Sequence, residues 1–308
     1  MKIIIDTDPG IDDAVALGLV LKRTDLDIVG ITTVRGNVDV VQSTKNVLKI
    51  LQEFDRKDIP VFQGAHSPIL DSPHYATHFH GDDGLGDYLN YEPDCTPLKT
   101  EHAVDAINRL ANLYKNELVL IALGPLTNIA LAYRLNDSLP SLLKELVIMG
   151  GNYKGVGNIS MAAEFNFYID PVAAHIVIKE FSCTKMLVTW EFTKTVPLSK
   201  EETKTLVGQD NKVSRFYKTI LEKHSNVEEM VLCDALAVAV AVDPKLITKY
   251  HSVYAVVELY GEYTKGQMVI DWYPDKRSDG KTINNPNVII VDQVNVELYK
   301  KMLLNCLQ

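Results

Sequence analysis

Apolar residues recur along this chain at two periods, and the first half switches between them regularly. Lys2–Asp6 is a run of isoleucines ending in acid, which predicts a strand buried on both faces. Asp12–Lys22 has helical spacing, Leu26–Val34 is β-branched and strand-like, and Val38–Phe54 shows a helical apolar face with Asn37 placed as its N-cap. Ile59–Phe62 predicts a third strand. A polar stretch rich in Gly, His and Asp follows from Gly64 to Thr100 and reads as a loop. Beyond it come an amphipathic helix (Glu101–Asn116) and a strand (Leu118–Leu123). Gly124-Pro125 breaks the chain before another helix, and Glu145–Met149 is the next strand. A helix at Asp170–Glu180 and a strand at Met186–Trp190 complete this part. The last third mixes helices near Lys200–Val207, Val213–His224 and Asp234–Val242 with strands near Val253–Tyr260, Gln267–Asp271 and Val288–Val291. A final helix spans Val296–Leu307. Strands alternating with helices at this spacing predict βαβ units, hence an α/β, Rossmann-like fold with a mainly parallel central sheet flanked by helices. No repeat or low-complexity linker divides the chain, so residues 1–308 read as one domain.

Polar residues gather where the predicted strands end. The first strand runs into Asp6-Thr7-Asp8-Pro9-Gly10-Ile11-Asp12-Asp13, and the second into Arg35-Gly36-Asn37. The strand at Leu118 leads to Gly124-Pro125-Leu126-Thr127-Asn128, and the strand at Glu145 to Gly150-Gly151-Asn152, then Asn158 and Glu164-Phe165-Asn166. Open parallel sheets bind ligands at the carboxyl ends of their strands, so these clusters should converge. Four aspartates within eight residues repel one another unless a divalent cation joins them, and oxygen-only donors suit a hard ion such as Ca²⁺. Asp12 and Asp13 also fit a plain role at a helix N-terminus, but that does not account for Asp6 and Asp8 before a Pro-Gly turn. Glu164 and Asn166, two apart, would share one side of an extended segment with Phe165 packed inward, or else satisfy a buried loop. Asp234, ahead of an apolar helix, fits a plain cap. Trp190, Trp272 and Tyr217 could stack on a flat ligand, although aromatics in such places more often belong to the core.

Composition bounds the partners. The 308 residues are 46% apolar and 23% charged, with a formal net charge of -9, which disfavours a nucleic-acid polymer. The four cysteines (Cys95, Cys183, Cys233, Cys306) form no CxxC pair and no zinc spacing, which fits a reducing compartment. The N-terminal apolar run is too short for a signal-peptide core and no run is long enough to span a membrane. The expectation is a cytoplasmic protein without an anchor.

Several blocks together resemble a known family. Asp6-Thr7-Asp8-Pro9-Gly10-Ile11-Asp12-Asp13-Ala14 is similar to the opening motif of the inosine-uridine-preferring nucleoside hydrolases. The resemblance continues through Thr33-Val34-Arg35-Gly36-Asn37, His80-Gly81-Asp82-Asp83-Gly84-Leu85-Gly86 and Gly124-Pro125-Leu126-Thr127-Asn128. Met149-Gly150-Gly151, Ala162-Ala163-Glu164-Phe165-Asn166, Asp170-Pro171 and Cys233-Asp234-Ala235-Leu236-Ala237 complete it, in family order over most of residues 1–243. The resemblance implies hydrolysis of the N-glycosidic bond of ribonucleosides to base and ribose. It implies a bound Ca²⁺ held by Asp8, Asp13, Asp234 and the Thr127 carbonyl, with water and the ribose diol completing the shell. Asp8 would be the general base acting on the calcium-held water. Asp12, Asn37, Asn158, Glu164 and Asn166 would hold the ribose, and His80 would serve the pocket. A homodimer or homotetramer is also implied. Asp6 is expected to hold the turn rather than to react.

Two positions depart from the pattern. Well-studied members carry histidine just before the last metal aspartate, able to protonate the leaving base. Here the residue is Cys233, as in a subgroup of the family; it is expected to be catalytic together with Asp8, but a thiol is the weaker hydrogen-bonding group, so His80 could substitute for it or the base could leave by another route. Trp190-Glu191-Phe192-Thr193-Lys194 stands where Asp-Val-Thr-His is usual, so base contacts do not carry over there. Two further readings compete. One is a haloacid-dehalogenase-type phosphohydrolase with Asp6 as nucleophile. The other is a calcium-dependent nucleoside or ribose binder without turnover.

Overall fold

The computed structural model describes residues 1–70, 72–87, 91–224, 227–273 and 285–305. In chain order the strands are β1 (Lys2–Thr7), β2 (Asp27–Thr33), β3 (Val61–Gln63), β4 (Leu98–Lys99), β5 (Leu118–Ala122), β6 (Glu145–Met149) and β7 (Lys185–Val188). A small antiparallel pair follows, β8 (Leu198–Ser199) with β9 (Glu229–Met230), and then β10 (Ile247–Val257), β11 (Met268–Asp271) and β12 (Val288–Val294). The main sheet runs β11-β10-β12-β7-β6-β5-β1-β2-β3-β4. From β12 to β4 all neighbours are parallel, while β10 is antiparallel to both β12 and β11.

The parallel strands are apolar because both faces are covered: every residue of β5 is buried. The helices pack in two sets. Ile11–Leu21 lies against Cys233–Val242, and Ala103–Leu113, Thr127–Leu135 and Pro171–Glu180 pack in series. Cys233–Val242 is buried along its whole length, a core helix hydrophobic all round. An aspartate at its first turn is therefore costly and needs a reason.

β1 lies between β5 and β2, and the strand order reverses there. A sheet of this kind opens a crevice at that point, beyond the strands' carboxyl ends. The register aligns those ends: Thr7 pairs with Thr33, Asp6 with Ala122, Ala122 with Ile148, and Met149 with Val188.

Several local expectations are corrected. The second helix is Val40–Glu53, and its N-cap is Asp39, which accepts from the Val41 and Gln42 amides, leaving Asn37 free for other bonds. β7 stops at Val188, and Trp190–Thr193 forms a helical turn. The helix expected at Val213–His224 divides into Lys212–Ile220 and a 3₁₀ turn at Glu222–His224. β10 starts six residues earlier than expected, its first half being polar and partly exposed. The long polar loop contains a helical turn at Thr77–His80 as well as β4. The last helix runs Val296–Asn305, and the end expected at Leu307 lies outside the described residues.

Candidate active site

Asp8 leaves the end of β1 fully buried. Its Oδ2 accepts the Asn37 backbone N–H at 2.8 Å, and the Asn37 side chain returns a bond to the Asp8 carbonyl at 3.2 Å. Two glycines clasp the carboxylate. A Cβ at Gly36 would lie 1.9 Å from Asp8 Oδ2, and one at Gly124 would lie 2.5 Å from Oδ1. This close approach explains both Gly-containing motifs, and it brings the turn carrying Thr127 to the same acid.

Asp13 projects from the first turn of Ile11–Leu21. It accepts from the Thr7 hydroxyl and, at 2.8 Å, from the Gly10 amide. It thus caps its helix, as the plainer reading has it, yet it also belongs to the acid cluster. Ligand oxygens of Asp12, Asp13 and Asp234 lie within 4.8 Å of one another. Asp8 is close enough to raise the pKa of Asp234 and to be raised by Asp13. Burial, and then like charge, pushes Asp8 and Asp234 well above the ordinary carboxylate range and Asp13 to about 6. Asp12 is raised too, mainly by burial. Asp234 is not the cap of its helix, since the cap position is Leu232 and no side chain caps there. Its Oδ1 is buried without a hydrogen-bond partner. An orphaned buried oxygen among three other carboxylates fits a hard cation: the donors are all oxygen, and the ion's charge would reverse the repulsion.

A cavity of about 450 Å³ opens beside this cluster. Its wall includes Asp12, Asn37, Glu164, Asn166 and Asp234 together with the largely apolar Phe79, Trp190, Val227, Met230 and Leu232. Asn166 donates to the carbonyls of Leu123 (2.7 Å) and Met149 (3.2 Å), so the ends of β5 and β6 fix it. The extended segment expected at Glu164–Asn166 is instead the start of a short helix, Phe165–Ile169, capped by Glu164. Glu164 accepts from the amides of Gly151, Asn166 and Phe167, and burial lifts its pKa to about 7 despite those bonds. It therefore satisfies a buried loop and lines the cavity at once. Phe165 packs inward against Ala76 and Ile169. Asn158 is exposed in the cavity wall.

His80 reaches the cavity from the turn at Thr77–His80 and accepts the Ile11 N–H at its Nδ1, 3.1 Å away. Burial lowers its pKa to about 4, so at neutral pH the ring is uncharged, with its proton on Nε2. Cys233 also lines the cavity, and burial pushes its thiol pKa up. Its Sγ lies 3.3 Å from Thr193 Oγ1, which donates to the Trp190 carbonyl at 2.8 Å. With the hydroxyl proton engaged there, the thiol is the donor in the Cys233–Thr193 contact. Its proton then points to the Thr193 hydroxyl, although the residue itself stands in the cavity wall.

Asp6 is fully buried. Its Oδ1 accepts from Thr32 (2.6 Å) and Asn128 (2.8 Å), which engage it within the sheet. None of Asp6, Asp8, Asp13 and Thr127 is in the cavity wall, where Asp12 and Asp234 stand, but Asp8 and Asp13 interact with those wall acids and Asp6 does not. Asn128 further bonds the Thr33 carbonyl and the Ala65 amide, locking the ends of β1, β2 and β3 together. The Thr127 hydroxyl does not cap its helix but bonds Asp170 at 2.7 Å, and Asp170 in turn caps Pro171–Glu180. Sequence reasoning left Trp190 with the core and gave His78 no role, yet both line the cavity. The end of β7 at Val188, which turns Trp190 out of the strand, is visible only in the structure. Tyr217 is core, as expected, and Trp272 lies apart beside Tyr153 and His251. Among the described residues no helix is long and apolar enough to cross a membrane.

Comparison with known proteins agrees with this geometry. The profile of a family described as inosine-uridine preferring nucleoside hydrolase matches residues 3–301. The chain is 36% identical to the inosine-uridine preferring nucleoside hydrolase of Leishmania major, over 89% of this chain and 88% of that one. It is 34% identical to uridine nucleosidase 1 of Arabidopsis thaliana, over 80% and 75% of the two chains. A solved inosine-guanosine nucleoside hydrolase superposes with a TM-score of 0.92 at 35% identity, covering 99% of this chain and 98% of its own. This chain belongs to the inosine-uridine preferring nucleoside hydrolase family and is an enzyme that hydrolyses the N-glycosidic bond of ribonucleosides.

Proposed function

We propose that the ribose of the substrate occupies the acid-and-amide part of the cavity and the base occupies the apolar part. We further propose that the resident ion is Ca²⁺, held by Asp8, Asp13, Asp234 and the backbone carbonyl of Thr127. The observation that carries this reading is the unpartnered Asp234 Oδ1, buried among like charges where the cavity meets the cluster. When bound, such an ion acidifies water and orients the vicinal hydroxyls of a sugar.

The chain's own groups supply the rest. Asp8, clamped by Gly36, Gly124 and the Asn37 amide, takes the proton of the attacking water. Water oxygen bonds to C1′ as the C1′–N bond breaks and its electron pair leaves with the base. Positive charge grows on the sugar, and carboxylates around it lower the barrier. Asn37, Asn166 and Glu164 are held by backbone bonds before substrate arrives, so orientation costs little on binding. Asn158 and Asp12 complete the sugar contacts. His80, neutral with a proton on Nε2, and the unpartnered Trp190 indole N–H are hydrogen-bond donors available to the departing base, and Cys233 shapes the wall instead.

The test is release of reducing sugar from a panel of nucleosides, with and without chelator. The expected result is cleavage of at least one ribonucleoside, lost on chelation and restored by Ca²⁺. The matching 2′-deoxynucleoside, lacking half of the diol, is cleaved about 100-fold more slowly or less. Cleavage that survives full chelation overturns the metal assignment.

A further inference from the structure

The segment between β6 and the helix at Phe165 carries Asn158 and Ile159 into the cavity wall. It has no helix or strand of its own; its tip is closed by bonds from the Gly157 amide to the Met161 carbonyl and from the Asn158 amide to the Ala163 carbonyl (3.1 Å each), and two carboxylates hold its ends to the rest of the molecule. At its far end Glu164 bonds the Gly151, Asn166 and Phe167 amides. Near its start a second buried glutamate does comparable work. Glu191, in the helical turn after β7, accepts from the amides of Tyr153 (2.7 Å), Lys154 (2.8 Å) and Val156 (3.0 Å). It is 8% exposed, and three N–H donors converging on one carboxylate form a charge-assisted anchor. Asn152 adds bonds to the Val156 and Ala162 carbonyls and accepts from the Met268 amide. Trp190, the residue before Glu191, lines the cavity, so one turn supplies a wall and also holds the loop that forms another.

We propose that Glu191 is a positioning residue for substrate binding: by gathering the amides of 153, 154 and 156 it holds the Asn158 loop against the sugar end of the cavity. The proposal rests on the assignment of Asn158 to the sugar. Glu191 touches no substrate and acts through the loop. Gln in its place has one acceptor oxygen and turns an NH₂ group toward backbone N–H donors, so the anchor fails with little change in volume. Because Asn158 is exposed and is not among the acids assigned to the ion or to proton transfer, the loss falls on binding more than on the chemical step.

The test compares wild type, Glu191→Gln, Glu191→Asp, Asn158→Ala and the double variant Glu191→Gln/Asn158→Ala in the full-length, calcium-replete protein. Glu191→Gln is expected to raise KM about 10-fold with kcat changed less than about 2-fold. Glu191→Asp, which keeps the charge, recovers part of the loss. The double variant has the KM of Asn158→Ala, since the two residues act along one line. A readout independent of activity is trypsin nicking after the exposed Lys154, expected to accelerate several-fold in Glu191→Gln and to slow again with ribose. Unchanged KM and nicking in Glu191→Gln overturn the proposal, as do KM effects that multiply independently in the double variant. If the wild type cleaves no nucleoside, the functional reading fails, while the nicking comparison still decides whether Glu191 anchors the loop.

Discussion

Asp8 and Asp6 stand two apart at the end of one strand and have different surroundings. Asp8 meets the Asn37 amide and the other cluster acids, whereas Asp6 meets Thr32 and Asn128 and no acid of the cluster. Asp8→Asn should therefore lower kcat by about 10²–10⁴-fold, the range of a general base, without unfolding the protein. Asp6→Asn should leave kcat within about 10-fold and act mainly on thermal stability, because the amide must find new partners inside the sheet. Steady-state kinetics beside melting curves separate the two, and loss of turnover in Asp6→Asn equal to that in Asp8→Asn contradicts the assignment. Cys233→Ala should lower kcat less than about 10-fold, since the thiol proton is directed at Thr193. A far larger loss, with a shifted pH profile, would return the acid role to the thiol.

Among elements, the turns after β2 and β5 matter more for geometry than for contact. Gly36→Ala and Gly124→Ala put a methyl group where the Asp8 carboxylate sits, and the displacement this forces should cost about 100-fold in kcat/KM while the far-ultraviolet dichroism is retained. These turns were legible in the sequence because a Gly-Pro break or a Gly-Asn pair after an apolar run is locally anomalous. So was the buried helix led by Asp234, the one charge in Cys233–Val242. Other features were not legible, for physical reasons. A five-residue helix such as Phe165–Ile169 is too short to show a period, so Glu164 and Asn166 read as extended. Asn37 and Asp39 are both good cap formers, and only the bond from Asn37 to Asp8 decides between them. Trp190 looks like any core aromatic until the end of β7 is known, and the direction of the Cys233 thiol depends on Thr193, forty residues away.

For the whole molecule, the buried acids link folding to pH and to the ion. Asp6 and Glu164 are raised to about 7 and Asp13 to about 6, and Asp8 and Asp234 are raised well above the ordinary carboxylate range, all mainly by burial. A carboxyl whose pKa is higher in the folded state than in the unfolded state binds more protons when folded. Its stabilising contribution is complete below the unfolded value, near 4, and is lost as pH rises through the folded value. Chelated protein should thus lose thermal stability between about pH 4 and pH 7. Calcium should restore it, with a larger gain at pH 8 than at pH 5, because the ion binds the deprotonated cluster. A calcium-dependent gain in Tm that is equal at both pH values contradicts this linkage.

The central claim is that carboxylates from β1, from the first turn of Ile11–Leu21 and from the first turn of Cys233–Val242 share one hard cation. Titration calorimetry of Ca²⁺ into chelated protein tests it most directly, with Asp13→Asn and Asp234→Asn alongside. The account predicts one strong site per chain in the wild type, proton release on binding, and affinity reduced by at least about 10–100-fold in each variant. No binding to the wild type, or binding that both variants leave intact, would contradict it.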